Sequence, residues 1–371
     1  MKRIWVVVIA LCVASMVRND GEIIMIRCVH AQPEPEPEPE VPCFFIFGDS
    51  LSDGGNNNNL STLAKVNYSP YGIDYPDGPT GRFTNGRTVV DILAEYMGFN
   101  ESIPTFSSAN KGSEMLQGVN YASGSAGILT NTGQHLGENI NFRTQLKYHR
   151  IIMSRLGENL GNKKAARRHL NKCLYWVGIG NNDYINNYFS HHHYYSSSHA
   201  YSPDDFALRL IERYRTFVMR LYDYGAKKIV LVGLGRIGCT PNSVALYQTN
   251  GSTSCVDEMN EAVQHFNVKL LTLVDQLNAN FTTAKFIYIN SFGMDGGDPT
   301  VAVNKIGQCV PLGKPCEKRR EYVFWDSFHP TEEVNMITAS RIYKAFDLSD
   351  SYPMDLKKLI HLSLGHPHPP L

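Results

Sequence analysis

The sequence has no excess of charge of either sign, because 35 lysines and arginines balance 35 aspartates and glutamates. It also has no basic stripe interleaved with aromatic residues, and we therefore predict no nucleic-acid partner. Neither a C-x-x-C motif nor a Cys/His spacing typical of zinc sites occurs, and no motif indicates another metal or a cofactor. The run His191 to His193 lacks an obvious carboxylate partner, and we interpret it as a solvated loop.

The amino-terminal apolar run is too short for a comfortable membrane span. Basic residues begin the stretch MKRIWVVVIALCVASM, and Arg18 follows it closely, which is typical of a secretory signal. We predict that residues 1–31 form this signal, with small residues Val29 and Ala31 at the cleavage positions; a retained membrane anchor is the alternative. Alternating proline and glutamate then favour an extended linker at 32–41. The expected location is extracellular.

The cysteine content agrees with export. Six cysteines lie outside the predicted signal, an even number that favours disulfide pairing in an oxidising compartment. Short loops make two pairs natural, Cys239 with Cys255 and Cys309 with Cys316. Sequons for N-glycosylation, which are typical of secreted proteins, begin at Asn59, Asn67, Asn100, Asn250 and Asn280.

Apolar runs with strand character alternate with amphipathic helical stretches in the rest of the chain. The strand candidates are residues 44–47, 118–122, 174–179, 228–232, 286–289 and 322–325. The predicted helices include 203–224, 255–280 and 331–346. This alternation is typical of an α/β fold, a parallel sheet sandwiched by helices. Because no internal repeat or domain-sized linker occurs, we predict one domain over 42–350 and a carboxyl-terminal tail over 351–371.

A serine follows the first predicted strand. Ser50 lies in FGDSLSD, and ligands of open α/β sheets bind outside the carboxyl ends of the strands. A serine nucleophile needs a base, a group that orients the base, and donors for the oxyanion. The stretch WDSFHPT offers Asp326 and His329, close enough for the carboxylate to accept the proton of one ring nitrogen. A capping aspartate beside a surface histidine is an equally good interpretation of this motif alone.

Two loops are candidates for the oxyanion donors. One is GVNYASGSAG at 118–127, where a strand leads into a glycine-rich turn and a backbone N–H approaches substrate unobstructed. The other is GIGNNDY at 178–184, which places Asn182 just beyond a strand. A tight turn and an Asx-capped helix start are the respective alternatives. Asp49 and Asp183 are assigned to loop hydrogen bonding.

These stretches occur together in one order. They are GDSLSD at 48–53, NYASGSAG at 120–127, GNND at 180–183 and DSFHP at 326–330. In this order the sequence resembles the plant-type GDSL esterase/lipase family of the SGNH hydrolases, and the resemblance spans nearly the whole predicted domain. It implies a flavodoxin-like three-layer α/β/α fold with a central parallel sheet, and a secreted ester hydrolase. No G-x-S-x-G, the nucleophile elbow of α/β-hydrolases, surrounds Ser50.

The resemblance implies a role for individual residues. The implied roles are nucleophile for Ser50, general base and acid for His329, orienting carboxylate for Asp326, and oxyanion donors for Gly124 and Asn182. The backbone N–H of Ser50 is the third implied donor. Gly127 lies in the same turn as Gly124 and is the alternative to it.

The implied sheet also bears on the remaining cysteines. In a flavodoxin-like sheet the first and third strands are neighbours, and Cys43 and Cys173 each directly precede one of them. The resemblance therefore implies a third disulfide between these two cysteines.

The expected function is hydrolysis of a carboxylic ester through an acyl-enzyme, without a cofactor. The substrate classes considered are lipids, cuticle-type esters and acetylated carbohydrates. An acyltransferase, in which an alcohol replaces water, and a non-catalytic wall or glycan-binding protein are the alternatives. We expect the loops 56–77 and 184–201 to set the shape of the pocket.

Overall fold

The protein is represented by a computed structural model, in which the chain divides into two compact units, Met1–Glu38 and Pro39–Leu371. The described residues are 38–109, 113–190, 198, 200–248, 254–294, 305–308 and 315–364. The fold described belongs to the second unit. The predicted signal, the histidine run at 191–193, Asn250 and Cys309 lie outside the described residues.

A sheet of mostly parallel strands forms the centre of the fold. The strands are β1 (Phe44–Gly48), β2 (Leu174–Gly178), β3 (Lys228–Val232), β4 (Lys285–Ile289), β5 (Lys305–Gln308), β6 (Tyr322–Phe324) and β7 (Ser351–Tyr352). The main sheet has the order β1-β2-β3-β4-β7, with the first four strands parallel and β7 antiparallel to β4. Its central strands are continuous apolar runs because both of their faces are buried.

Two of the predicted strands differ from the prediction. The segment 118–122 makes only a single parallel bridge to β1, in which Ile46 N–H donates to Val119 O at 3.0 Å and Tyr121 N–H donates to Ile46 O at 2.8 Å. It nevertheless lies on the outer edge of β1, so the first and third predicted strands are neighbours as expected. The last predicted strand is β6, which pairs with β5 in a separate two-stranded sheet instead of joining the main one.

Helices connect the strands. They are α1 (Val89–Tyr96), α2 (Phe106–Ala109), α3 (Phe142–Asn159), α4 (Lys163–Leu170), α5 (Asn181–Asp183), α6 (Pro203–Tyr224), α7 (Pro241–Tyr247), α8 (Asp257–Asn280), α9 (Ser291–Met294), α10 (Glu332–Tyr343) and α11 (Leu356–His361). Capping residues set the bounds of α6. The Ser202 side chain accepts the N–H of Asp205 at the start of the helix, and Gly225 ends the helix with a φ of 116°. None of the described helices is long and apolar enough to cross a membrane.

The helices form a layer on each face of the sheet. One apolar core joins the sheet to α3, α6 and α8, and includes Phe45, Tyr175 and Ile229 from successive strands. The other joins it to α1, α10 and α11, and includes Phe44 and Trp176. Alternate strand residues enter opposite cores because successive side chains point to opposite faces. The fold is therefore the three-layer α/β/α arrangement predicted from the sequence.

Two of the predicted disulfides form, and the described sequon asparagines lie at the surface. Disulfides join Cys43 to Cys173, at the starts of β1 and β2, and Cys239 to Cys255. The remaining predicted pair, Cys309 with Cys316, includes Cys309, which is not among the described residues. The described sequon asparagines are all exposed, namely Asn59, Asn67, Asn100 and Asn280.

The folded domain extends past both predicted boundaries. Val41, assigned to the linker, is buried in the core, and Glu40 N–H donates to Met97 O at 2.9 Å. At the other end, β7 and α11 lie inside the predicted tail. The apolar side chains of α11 that are buried are Leu356, Leu359 and Ile360.

Removing residues 351–371 is expected to destabilise the domain by several kcal/mol. The deletion exposes three aliphatic side chains, each contributing about 1.5–3 kcal/mol when buried, and leaves β4 without its antiparallel partner. Denaturant unfolding of a chain ending at residue 350 should be compared with that of a chain ending at 364. Equal unfolding midpoints would show that β7 and α11 add no stability.

Candidate active site

A sharp turn at the end of β1 presents Ser50. Oδ1 of Asp49 accepts the N–H of Leu51 at 3.0 Å, which bends the chain away from the strand direction. Gln145 of α3 supports the turn, since its side-chain amide accepts the N–H of Gly48 at 3.0 Å and donates to Gly48 O at 2.8 Å. The nucleophile candidate is thus fixed by both the sheet and the helix behind it.

Ser50, His329 and Asp326 form an unbroken chain of contacts. Oγ of Ser50 lies 2.8 Å from Nε2 of His329. Nδ1 of the same ring lies 2.7 Å from Oδ2 and 2.9 Å from Oδ1 of Asp326. A carboxylate on Nδ1 holds the proton there and leaves Nε2 able to accept the serine proton.

The loop that carries Asp326 and His329 is closed by its own backbone. Trp325 N–H donates to His329 O at 2.7 Å, while Oδ1 of Asp326 accepts the N–H groups of Phe328 at 2.8 Å and His329 at 2.7 Å. Pro330 then leads into α10, so the histidine stands before the helix, as predicted.

Tyr71 is a member of the site that the sequence did not indicate. Its hydroxyl donates to Oδ2 of Asp326 at 2.8 Å, although the two residues are 255 positions apart. Burial acts to raise the pKa of Asp326, but the charge of His329 and the hydrogen bonds hold it below its ordinary value. Burial beside that carboxylate raises the pKa of Tyr71, which therefore remains a donor.

Asn182 is held by two hydrogen bonds within the protein. Its Nδ2 donates to Ala126 O at 3.0 Å, and its Oδ1 accepts from Nδ2 of Asn186 at 2.7 Å. An amide nitrogen carries two hydrogens, so one remains for a ligand. Asn182 lines the same cavity as Ser50.

Gly124 is not available for the role that the resemblance implies. Its N–H donates to Oδ2 of Asp53 at 2.9 Å. Gly127, the alternative, is packed against Thr132, whose Cγ2 would lie 2.5 Å from a Cβ at this position. Neither glycine is among the described residues that line the cavity around Ser50.

Ser125, between these two glycines, does line the cavity. It adopts a φ of 62°, in the left-handed region that non-glycine residues seldom occupy. Its N–H has no hydrogen-bond acceptor among the described residues. The turn therefore offers an unpaired backbone donor one position beyond the predicted one.

Buried carboxylates hold this turn from both sides. Oδ1 of Asp53 accepts the N–H groups of Gly55 and Asn56, both at 2.7 Å, besides the bond from Gly124 to Oδ2. Burial raises the pKa of Asp53 to about 6, against the lowering effect of these hydrogen bonds. Asp53 thus links the serine turn to the glycine-rich turn.

Asp183 performs the same task on the far side of the turn. It accepts the N–H groups of Ile128 at 2.7 Å and Leu129 at 2.9 Å, and the hydroxyl of Thr132 at 2.8 Å. Burial raises its pKa to about 6 as well. Because Asp183 is adjacent to Asn182, these hydrogen bonds fix the position of Asn182 relative to the glycine-rich turn.

A cavity of about 1030 Å³ opens beside the serine and is lined largely by apolar side chains. Beneath α10 its lining includes Trp176, Val232, Val334 and Ile342. On the loop side the lining includes Leu63 and Tyr68 from the predicted loop 56–77 and Ile185 and Phe189 from the predicted loop 184–201, together with Leu246 of α7.

A candidate metal-ligand spacing occurs at the opposite edge of the sheet, where β1 and β2 begin. Among the described residues, one group of side chains is spaced for a metal ion, namely Cys43, His169 and Cys173. The two cysteines are joined in a disulfide, which leaves a single imidazole.

Replacing Asp53 with asparagine is expected to change how stability depends on pH. The pKa of Asp53 is about 6 when folded, against 3.8 ordinarily, so its contribution is fully present below pH 3.8 and lost as pH rises through about 6. Asparagine does not ionise. The excess unfolding free energy of the wild type over Asp53→Asn should therefore fall by about 2–3 kcal/mol between pH 4 and pH 7.

Urea unfolding of both proteins at the two pH values measures this change. Groups that titrate identically in the two proteins cancel in the comparison. A difference that stays constant across the range would contradict the raised pKa of Asp53.

Comparison with known proteins places the chain in one family. The family model described as GDSL-like Lipase/Acylhydrolase matches residues 44–342. GDSL esterase/lipase At1g29670 of Arabidopsis thaliana is 47% identical over 340 residues, covering 87% of this chain and 92% of that protein. GDSL esterase/lipase At1g29660 of the same plant is 46% identical over 351 residues, covering 90% and 94%. As the four sequence blocks predicted, the chain belongs to the GDSL-like lipase/acylhydrolase family of ester-hydrolysing enzymes.

Proposed function

We propose that this ester hydrolase works through an acyl-enzyme on Ser50, with His329 as general base and acid and Asp326 as its orienting carboxylate. The observation that carries the proposal is the unbroken contact from Ser50 Oγ to His329 Nε2, at 2.8 Å, and from His329 Nδ1 to Asp326, at 2.7 Å. A non-catalytic binding protein would not need this alignment.

The proposed reaction has two steps. Ser50 Oγ attacks the ester carbonyl while His329 takes its proton, and the same proton then passes to the departing alcohol. Water, deprotonated by His329, attacks the acyl-enzyme and releases the acid and the free serine. Asp326, which Tyr71 and two backbone N–H groups keep in place, stabilises the imidazolium in both steps.

We assign the oxyanion to the backbone N–H of Ser50, the second side-chain hydrogen of Asn182 and the backbone N–H of Ser125. The last assignment replaces Gly124, whose N–H is engaged by Asp53. All three donors belong to residues that line the same cavity. Their supporting hydrogen bonds are made within the protein, so little reorganisation is needed when charge develops.

The cavity supports an ester with a sizeable apolar part. Its volume of about 1030 Å³ exceeds what an acetyl group needs, and its lining beneath α10 is apolar. Within the substrate classes considered, this favours lipid and cuticle-type esters over small acetyl esters. Export as a glycoprotein is also proposed, and the exposed sequons and the disulfides support it.

The test of the proposed function is hydrolysis of nitrophenyl esters from acetate to long acyl chains by wild type and Ser50→Ala. Wild-type activity should rise with chain length and disappear in the variant, whose folding is checked by its unfolding midpoint. Retained activity in folded Ser50→Ala would remove Ser50 as the nucleophile.

The oxyanion assignment predicts different results for substitutions at two positions. Asn182→Ala should lower kcat by about two to three orders of magnitude, because one donor is lost. Ser125→Gly keeps the N–H and suits a φ of 62°, so it should retain activity, whereas the β-branched Ser125→Val strains the turn and should lose it. Full activity of folded Ser125→Val would show that the N–H of this turn is not a donor to substrate.

A further inference from the structure

The charges of this neutral chain are unevenly distributed over its surface. Residues 142–172, which span α3 and α4, contain nine lysines and arginines but a single acid, Glu158, for a net charge of +8. Because the whole chain is neutral, the remainder carries −8. Eight of the nine cations are exposed, and we call them the basic face: Arg143, Lys147, Arg150, Lys163, Lys164, Arg167, Arg168 and Lys172.

The basic face is not neutralised by the protein itself. None of its eight cations has an ion-pair partner in the part of the chain that the structure describes. Arg167 donates to a backbone carbonyl, that of Asp223, at 2.8 Å. Eight like charges therefore face solvent together, which concentrates a positive potential on this side of the molecule.

Helix stability explains only part of this arrangement, because Arg167 and Arg168 lie in the last turn of α4, where the helix dipole favours cations. Lys163 with Arg167, and Lys164 with Arg168, are like-charged pairs four residues apart, a spacing that destabilises a helix. Lys163 and Lys164 also stand in the first turn of α4, where the helix dipole disfavours cations, and no acid is present there. Local helix preference therefore does not account for Lys163 and Lys164.

The shape of the basic face favours an extended polyanion. Arg143, Lys147 and Arg150 follow one row of α3, a helix of 18 residues and so about 27 Å long, and the cations of α4 form a second row. The apolar sides of both helices are buried in the core, and Ile151 is the one large apolar side chain of α3 and α4 that is exposed, so the face offers little apolar surface for a bilayer. It also lacks the exposed aromatic side chains on which nucleic-acid bases stack.

We propose that the basic face is a docking surface for an acidic polysaccharide, a polyuronate with a carboxylate on every sugar residue. The choice of polymer rests on the export proposed above, because an exported enzyme meets polymers of this kind outside the cell. Rows of cations match a row of carboxylates. None of the basic-face residues lines the cavity at Ser50, so docking and catalysis use separate surfaces. The proposal goes beyond the esterase assignment and does not depend on it.

The test measures binding of polygalacturonate to the full-length protein at low and high salt, for wild type, Lys164→Glu/Arg168→Glu, and the matched control Lys344→Glu/Lys357→Glu. The control changes the total charge by the same amount. Its two lysines lie in the helical layer on the other face of the sheet, Lys357 in α11 and Lys344 just after α10. Wild type and control should bind, and raised salt should weaken both. The basic-face variant should bind at least about tenfold more weakly.

Three further measurements keep the result interpretable. Hydrolysis of a soluble nitrophenyl ester should be the same in all three proteins, which separates failure of docking from failure of the proposed catalysis. If the charge-reversed variant unfolds α4, the neutral variant Lys164→Gln/Arg168→Gln is used in its place. It should also bind polygalacturonate more weakly than wild type. Neutral dextran should not bind.

Three outcomes would overturn the proposal. Two are equal polygalacturonate binding by the basic-face and control variants, and no binding by wild type. The third is binding to phosphatidylserine vesicles without binding to polygalacturonate, which would make the face a membrane surface.

Discussion

Buried carboxylates that accept backbone N–H groups hold the catalytic edge together. Asp53, Asp183 and Asp326 each accept at least two such groups; Asp53 and Asp326 lie in loops, and Asp183 is the last residue of the short helix α5 and binds the loop at Ile128 and Leu129. Loops lack the internal hydrogen bonds of regular structure, so their geometry depends on these acceptors. The 2.8 Å contact between Ser50 and His329 joins two loops fixed in this way.

The same burial has opposite consequences for these acids. Asp326 contacts the ring of His329, and its electrostatic interaction and hydrogen bonds with that ring keep the pKa of the carboxyl low. For Asp53 the corresponding cation is Arg82, but that guanidinium is held by Asp91 in two hydrogen bonds of 2.8 Å. Burial therefore prevails at Asp53 and raises its pKa to about 6. The acid assigned to catalysis stays ionised, while a supporting acid sits close to its protonation point.

The sequence predicted the positions of those candidate site residues that lie directly after a strand. A strand of continuous apolar residues ends at a recognisable place, so the positions of Ser50 and Asn182 could be read from the runs that precede them. The bridge between Cys43 and Cys173 followed from the order of strands that the family resemblance implied.

The remaining parts depend on geometry that no local pattern records. Tyr71 reaches Asp326 across 255 residues, and a left-handed φ at Ser125 is a property of the folded turn. The strand β7 has two residues and α11 has six, which is too short for a periodic signal, so the domain was predicted to end too early. The basic face was not predicted, because the net charge of the whole chain is zero and says nothing about how the charges are distributed over the surface.

One helix connects the two surfaces that we assign to substrate and to polymer. On its inner side α3 carries Gln145, which holds both the N–H and the carbonyl of Gly48 just before the serine turn. On its outer side the same helix carries Lys147, two residues further along, and the rest of its basic row. A helix anchored by buried side chains moves as a rigid body with the sheet, so the distance between the basic face and Ser50 is fixed. A polymer held on that face would therefore keep the catalytic edge at a constant distance from its own surface, without any contact between the polymer and the cavity.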